Sequence, residues 1–101
     1  MRVIAIKTLK EFWGKHPEAT TGLKHWYERI SNKAYDSPAE LVSDFKGADY
    51  VGNTRVVFNI ARNKFRLIAA FRCDKQICWV KFVGTHSDYD DIDAQTIEFD
   101  N

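Results

Sequence analysis

Cysteine, proline and long apolar runs are scarce in this 101-residue sequence, and each shortage excludes a class of protein. The two cysteines, Cys73 and Cys78, could join across a hairpin, but a cytosolic chain is expected to keep both reduced. Because Cys and His at ligand spacing are missing, we predict no metal and no other cofactor. No apolar run approaches the roughly 18 residues that a membrane span requires. The start, MRVIAIKTLKEFW, lacks a signal-peptide core, so we expect a cytoplasmic protein without membrane contact.

The remaining composition is typical of one folded domain. A chain of 101 residues can bury one core but not two, so we predict a single domain over residues 1–101. The 45% hydrophobic and 14% aromatic content excludes a disordered chain.

The charge is unevenly distributed, although it sums to only +1. Residues 1–85 contain all 15 Lys and Arg against eight acids, whereas residues 86–101 contain six acids and no base. A basic body with a short acidic tail suggests a polyanionic partner for the body. A solvated surface whose charges cancel locally accounts for the numbers equally well.

The stretch from Arg55 to Asp90 predicts three consecutive strands joined by two tight turns. The turns lie at Ala61–Lys64 and Asp74–Gln76. Because side chains alternate along a strand, the middle strand should have one apolar face and one face that carries cations. The predicted apolar face consists of Phe65, Leu67, Ala69 and Phe71, and the other of Lys64, Arg66, Ile68, Ala70 and Arg72.

A short strand at Val3–Ile6 and three helices are predicted before these strands. Thr8 can cap the first helix, and Pro17 ends it or begins the second. Ser37 and Glu40 have the spacing of a capping box for the third, and residues 47–53 form a loop. The apolar positions at helical spacing, assigned to the core, are Leu9, Phe12, Trp13 and His16, then Ala19, Leu23, Trp26, Tyr27 and Ile30, then Leu41, Val42 and Phe45.

The resulting order, β-α-α-α-β-β-β, predicts an α+β fold with the helices packed on one face of a small antiparallel sheet.

The residues best suited to chemistry follow the last strand, in the segment Gly84–Asp90. His86 and Tyr89 are three residues apart, so one turn of backbone could aim both at a single cleft. Histidine exchanges protons near neutral pH, and a tyrosine can donate to a phosphate oxygen or stack on a base. The structural alternative is that His86 caps the strand end and Tyr89 seals the sheet edge.

Together with Arg66, Lys64 and Lys81, the His86–Tyr89 pair could support cleavage of RNA by its own 2′-hydroxyl. The nucleophile must lose a proton, the crowded phosphate needs positive charge, and the leaving 5′-oxygen must gain a proton. Arginine suits the phosphate because its planar fork matches the phosphate oxygens and keeps its charge. His or Tyr could serve the proton transfers, and this chemistry requires no metal.

Several separated motifs, in order along nearly the whole chain, resemble the HigB branch of the RelE-type toxins. The matching stretches are Asn53, Arg55–Ile60, Asn63–Ile68, Val80–Asp93, His16–Ala19 and Ser37–Phe45. The resemblance implies a RelE-like fold and a bacterial toxin of a type II toxin–antitoxin pair that cuts mRNA in the ribosomal A site. It also implies a HigA-like helix-turn-helix antitoxin, with the ribosome and mRNA as further partners and DNA contacted only through the antitoxin.

Transferred by position, the resemblance implies catalytic roles for Arg66, His86 and Tyr89. Arg66 matches the family's strand arginine, which contacts the scissile phosphate. Tyr89 matches a C-terminal tyrosine near the cut, and His86 takes a position where other members have a basic or acid/base residue. The sequence departs from the family pattern at Ala61-Arg62, where a glycine-containing pair is expected, and at Phe65, where Tyr is common. The candidate RNA-binding residues are Lys64, Lys81, Arg55, Asn59 and Arg62.

Two other functions stay open at this point. The same scaffold could poison another target, such as DNA gyrase, as ParE-like toxins do, because fold does not fix function. The basic face could also bind RNA without cleaving it.

Overall fold

The structure is a computed structural model that describes residues 1–98; the last three residues of the predicted acidic tail, 99–101, lie outside this range. No helix within residues 1–98 is long and apolar enough to cross a membrane. A 3₁₀ turn at Pro17–Ala19 joins the first two helices. The strands and helices are β1 (Arg2–Ile4), α1 (Ile6–Lys15), α2 (Thr20–Ser31), α3 (Pro38–Asp44), β2 (Asp49–Gly52), β3 (Arg55–Ile60), β4 (Phe65–Arg72), β5 (Ile77–Thr85) and α4 (His86–Asp90).

The five strands form one mixed sheet in the order β1-β5-β4-β3-β2. The predicted meander β3-β4-β5 is confirmed as antiparallel, and so is the α+β class. Two details differ from the expectation. β1 pairs with β5 in parallel, starting at Arg2 opposite Ile77. Part of the predicted loop 47–53 is the edge strand β2, which pairs with β3 and has an irregularity between Tyr50 and Gly52.

Helices α1 to α3 cover one face of the sheet, and the core lies between them. The predicted apolar face of β4 is confirmed, because Phe65, Leu67, Ala69 and Phe71 are all buried in this core. Phe58 of β3 makes edge contacts with the rings of Trp26, Phe45 and Phe71, at centroid separations of 5.4, 5.0 and 6.0 Å. The helical residues fully buried against the sheet are Leu9, Ala19, Leu23, Trp26, Ile30 and Leu41.

The helix ends agree with the sequence only in part. The Ser37 Oγ accepts a hydrogen bond from the Glu40 N–H at 3.3 Å, which confirms the predicted cap of α3. The prediction that Thr8 caps α1 is wrong, since α1 begins at Ile6 with Ala5 as its N-cap. Cys73 and Cys78 are both free, as expected.

The opposite face of the sheet, which we call the open face, carries Arg55 and Asn59 of β3 and Arg66 and Ala70 of β4. The short helix α4 lies at the Arg66 end of this face, in contact with β4 and β5. The C-terminal segment, residues 92–98, crosses the other end and binds Arg55. The open face is therefore the side on which the predicted catalytic and RNA-binding residues can meet.

Candidate active site

Arg66 lies near the start of β4, between Asn59 of β3 and Gly84 of β5. Its Nη1 donates hydrogen bonds to the backbone oxygens of Asn63, at 3.0 Å, and Phe65, at 3.4 Å. These bonds to the β3–β4 turn hold the guanidinium at the end of the strand. Within residues 1–98 they are its only hydrogen bonds, so the other N–H groups are available to a ligand.

The electrostatic setting of Arg66 differs from that of two other arginines on these strands. Arg55 pairs with Glu98 at 2.8 Å, and Arg72 pairs with Asp74 at 3.0 Å. In the described part of the chain no carboxylate lies within ion-pair distance of Arg66. Its positive charge is therefore not neutralised internally, which suits the binding of an RNA phosphate.

Helix α4 is fixed to the end of the sheet by its first turn. The Asp88 N–H donates to Thr85 Oγ1 at 3.1 Å, and the Thr85 N–H donates to Asp88 Oδ2 at 3.2 Å, so the two residues form a reciprocal capping box. The His86 N–H donates to the Lys64 backbone oxygen at 3.2 Å, which ties the helix to the β3–β4 turn. The predicted element order lacks this helix, although the Thr-x-x-Asp spacing is a known signal for one.

The Tyr89 side chain extends from α4 towards Arg66. The Arg66 Cζ lies 5.9 Å from the centre of the Tyr89 ring, within the range of a cation–π contact. The Phe82 ring lies 6.5 Å from the same ring. Glycine at position 84 makes room for this packing, because a Cβ there would come within 2.6 Å of Phe82 Cζ. The structure thus brings two of the three predicted catalytic residues into contact.

His86 is on the same helix, one turn before Tyr89. Its Nδ1 lies 3.5 Å from Asp90 Oδ2, at ion-pair rather than hydrogen-bond distance, and both side chains are more than half exposed. The predicted site residues do not include Asp90, although a spacing of four residues on a helix indicates such a contact. The imidazole is accessible from solvent on the helix that carries Tyr89, as proton exchange with a substrate requires.

Three of the predicted RNA-binding residues lie at the same end of the sheet. Lys64 ends the β3–β4 turn, and its exposed ammonium is 3.8 Å from Glu18. Arg62 is exposed at the tip of this turn, with a φ of +56°. Asn59 is opposite Arg66 in register, but its amide donates to the Gly47 backbone oxygen at 3.1 Å and so has a structural partner.

Arg55 and Lys81, the other two, are distant from this group. Arg55 is only 4% exposed, so it lies inside the protein and not on the surface that the sequence suggested. Its Nη2 donates to Glu98 Oε1, and the Lys81 Nζ donates to Glu98 Oε2, each at 2.8 Å. The Lys81 ammonium holds the pKa of Glu98 below its usual range, with Arg55 contributing. Nothing local in the sequence signals this cluster.

Two further observations bear on what the site can hold. In the part of the chain that the structure describes, no group of three or more His, Cys, Asp or Glu is arranged to bind a metal ion. A hollow of about 320 Å³ opens beside α2 and β3, where His25, Arg29 and Lys46 line it. None of Arg66, His86 and Tyr89 lines this hollow.

Comparison with known proteins gives one family and several relatives. Residues 19–92 match the HigB toxin family, described as the RelE-like toxic component of a toxin–antitoxin system. The mRNA interferase toxin HigB of Escherichia coli (strain K12) is 30% identical over 93 residues, which cover 89% of this chain and 88% of the relative. The proteins named mRNA interferase HigB from Escherichia coli O157:H7 and Shigella flexneri match with the same identity and coverage.

Proposed function

Because the chain belongs to the HigB family of RelE-like toxins, we propose that it is an mRNA endoribonuclease that stops translation and growth. The observation that carries this proposal is the Arg66 guanidinium, without a carboxylate partner in the described chain, held 5.9 Å over the Tyr89 ring. The relatives with 30% identity are named mRNA interferases, which supports the same activity. None of these relatives is named as a poison of DNA gyrase, so that alternative has no support here.

In the reaction we propose, the 2′-hydroxyl of the substrate attacks the neighbouring phosphorus. The new 2′-O–P bond forms as the P–O5′ bond breaks, which leaves a 2′,3′-cyclic phosphate and a free 5′-hydroxyl. Arg66 binds the phosphate oxygens and stabilises the negative charge that develops on them. His86 and Tyr89 are the groups that take the proton from the 2′-oxygen and return one to the 5′-oxygen.

We assign the contacts with the rest of the message to Lys64 and Arg62. Both are exposed at the β3–β4 turn, next to the strand end that carries Arg66. Two exposed cations at a turn can follow a phosphate backbone without reading its sequence.

A growth assay with a paired control tests the role of Arg66. Arg66→Ala should abolish growth arrest on induction, because losing one phosphate contact of this kind costs on the order of 3 kcal/mol in the transition state. The control is Arg72→Ala, since Arg72 is on the same strand and face but pairs with Asp74. This variant should stay toxic. A folded Arg66→Ala protein that still arrests growth would contradict the assignment.

Mapping of RNA ends tests the reaction and its dependence on the ribosome. In a translation extract, cuts should fall within translated codons and carry a 2′,3′-cyclic phosphate. A matched transcript without a start codon should stay intact. Intact mRNA together with DNA damage signalling would instead indicate a gyrase poison, and RNA binding without any cut would indicate a non-catalytic module.

Membership in a toxin–antitoxin family implies an antitoxin partner. We infer that this antitoxin is a HigA-like helix-turn-helix protein, that contact with DNA occurs only through it, and that the toxin acts in the cytoplasm. A neighbouring gene for such a protein, whose product co-purifies with the toxin and restores growth, is the expected result. A neighbouring gene of another fold that restores growth equally well would contradict the inference.

A further inference from the structure

The C-terminal segment 92–98 is bound to the open face of the sheet by specific contacts. The Asn53 amide donates to the Gln95 backbone oxygen at 2.8 Å, and the Gln95 amide donates to the Val51 backbone oxygen at 2.7 Å. The Arg55 Nη1 donates to the backbone oxygens of Ala94, at 3.2 Å, and Ile97, at 2.6 Å. The backbone of the segment is thus held independently of the Glu98 side chain.

Glu98 makes a different kind of contact, because its carboxylate bridges two cations. One oxygen accepts from Arg55 and the other from Lys81, each at 2.8 Å. A phosphodiester resembles this carboxylate, because its two non-bridging oxygens can each accept a hydrogen bond from one charged donor. The Glu98 side chain is 57% exposed, so it can rotate away without disturbing the backbone contacts of the segment.

The bridged cations are on the same face as the candidate active site. Arg55 is opposite Ala70 in the β3–β4 ladder, and Arg66 is opposite Asn59, so the two arginines are four positions apart along the strands. At about 3.3 Å per residue, this separation is roughly 13 Å along the sheet. An RNA strand with one phosphate at Arg66 can therefore continue along the sheet to Arg55 and Lys81.

We propose that Arg55 and Lys81 form a second phosphate site for the same RNA strand, and that Glu98 fills this site until RNA displaces it. The proposal rests on the proposed function, since it extends the path of the message away from the cut. Because Glu98 is tethered beside the cations, its high effective concentration weakens RNA binding in the free protein. The acidic tail then limits how strongly the basic body binds RNA that is not correctly placed.

Binding measurements on purified protein test the displacement. The probe is a fluorescent single-stranded RNA with 2′-O-methyl groups, which cannot be cleaved by its own 2′-oxygen. Glu98→Gln should tighten binding about fivefold at low salt, the scale of one partly exposed ion pair. The slope of log Kobs against log salt should change little, because RNA displaces Glu98 and makes this phosphate contact in both proteins.

Two further variants make the test specific. Glu28→Gln removes the same charge from an exposed position on α2, on the other side of the sheet, and should leave affinity and slope unchanged. Lys81→Met in the Glu98→Gln background should cancel the gain, because the released cation is gone.

The outcomes separate this inference from the proposed function. If Glu98→Gln binds no more tightly than the original protein, or if Glu28→Gln gains as much, the second phosphate site is refuted. The same holds if Glu98→Gln only lowers the melting temperature, since the contact is then purely structural. Cleavage of translated mRNA in any of these cases would leave the proposed function standing. A tighter Glu98→Gln protein that never cleaves mRNA would support the site and refute the enzyme.

Discussion

Asp44, the last residue of α3, joins three parts of the helical layer, and its replacement by Asn gives a quantitative test of the fold. The Arg29 guanidinium donates to both carboxylate oxygens, at 2.8 and 3.0 Å. The Tyr35 hydroxyl donates to Oδ2 at 2.5 Å, and the Lys33 ammonium lies 3.1 Å from Oδ1. The Asp44 side chain is only 13% exposed. This one carboxylate therefore connects α2, the α2–α3 loop and α3.

The cost of Asp44→Asn follows from these contacts. Asn keeps the size and one acceptor, so the Tyr35 hydroxyl, which is almost fully buried, can still be bonded. The negative charge is lost, so the two hydrogen bonds from Arg29 are no longer charge-assisted. With allowance for the partial exposure of Arg29, the free energy of unfolding should fall by about 2 kcal/mol. For a domain of this size the melting temperature should fall by roughly 10 °C.

The dependence of this effect on pH has a definite sign. The hydrogen bond from Arg29, followed by that from Tyr35, holds the pKa of Asp44 well below its usual range. A carboxylate with a depressed folded-state pKa stabilises the protein fully above the unfolded value of about 3.9 and loses this contribution as the pH falls towards the folded value. The difference between the original protein and Asp44→Asn should therefore be largest at neutral pH and shrink in acid.

Urea unfolding at about pH 7 and about pH 2.5 measures the free energy of both proteins. The control is Asp49→Asn, an exposed position on β2, whose effect should stay within about 0.5 kcal/mol. A melting temperature of Asp44→Asn equal to that of the control, or a difference that does not shrink in acid, would refute the reasoning. The same curves test the prediction of a single domain, which requires one cooperative transition.

Four further predictions concern the site and its supporting turn. Tyr89→Phe keeps the ring under Arg66 but loses the hydroxyl. If that hydroxyl transfers a proton, cleavage in a translation extract should fall at least about 100-fold, as for Tyr89→Ala. A nearly active Tyr89→Phe protein would limit the role of Tyr89 to its ring. Gly84→Ala should reduce cleavage with little change in melting temperature, because the new Cβ would displace the tip of the half-buried Phe82 ring beside Tyr89. Unchanged activity would show that this packing does not position the site. Arg62→Gly should raise the free energy of unfolding by about 0.5 kcal/mol, since glycine adopts the positive φ of this turn without strain. A lower free energy in urea unfolding would contradict that account. Cleavage by the purified toxin on ribosomes should continue when EDTA removes transition metals at constant free Mg²⁺. If EDTA stops cleavage and Zn²⁺ or Mn²⁺ restores it, the metal-independent mechanism is refuted.

The sequence predicts the centre of the sheet well because its pattern is local and repeated. In β4 a wholly apolar set, Phe65, Leu67, Ala69 and Phe71, alternates with a set that includes Arg66 and Arg72. This pattern predicts which face packs against the helices, and the structure agrees. The edges are harder to predict. Asp49–Gly52 contains Asp and Gly, which are typical of turns, and becomes a strand only because it pairs with β3. The parallel pairing of β1 with β5 likewise depends on residues more than 70 positions apart, such as Arg2 and Ile77.

The contrast between Arg55 and Arg66 shows why the site could be predicted only in part. Both are arginines on strands of the open face, and the sequence predicts a role with RNA for each, catalytic for Arg66 and binding for Arg55. What separates them is a carboxylate 43 residues away: Glu98 pairs with Arg55, while Arg66 has no such partner within residues 1–98. Periodicity places a side chain on a face, but only the folded chain shows whether its charge is already neutralised. Substitution of Arg66 should therefore change the rate of cleavage, whereas substitution of Arg55 should change RNA binding and the stability of the fold.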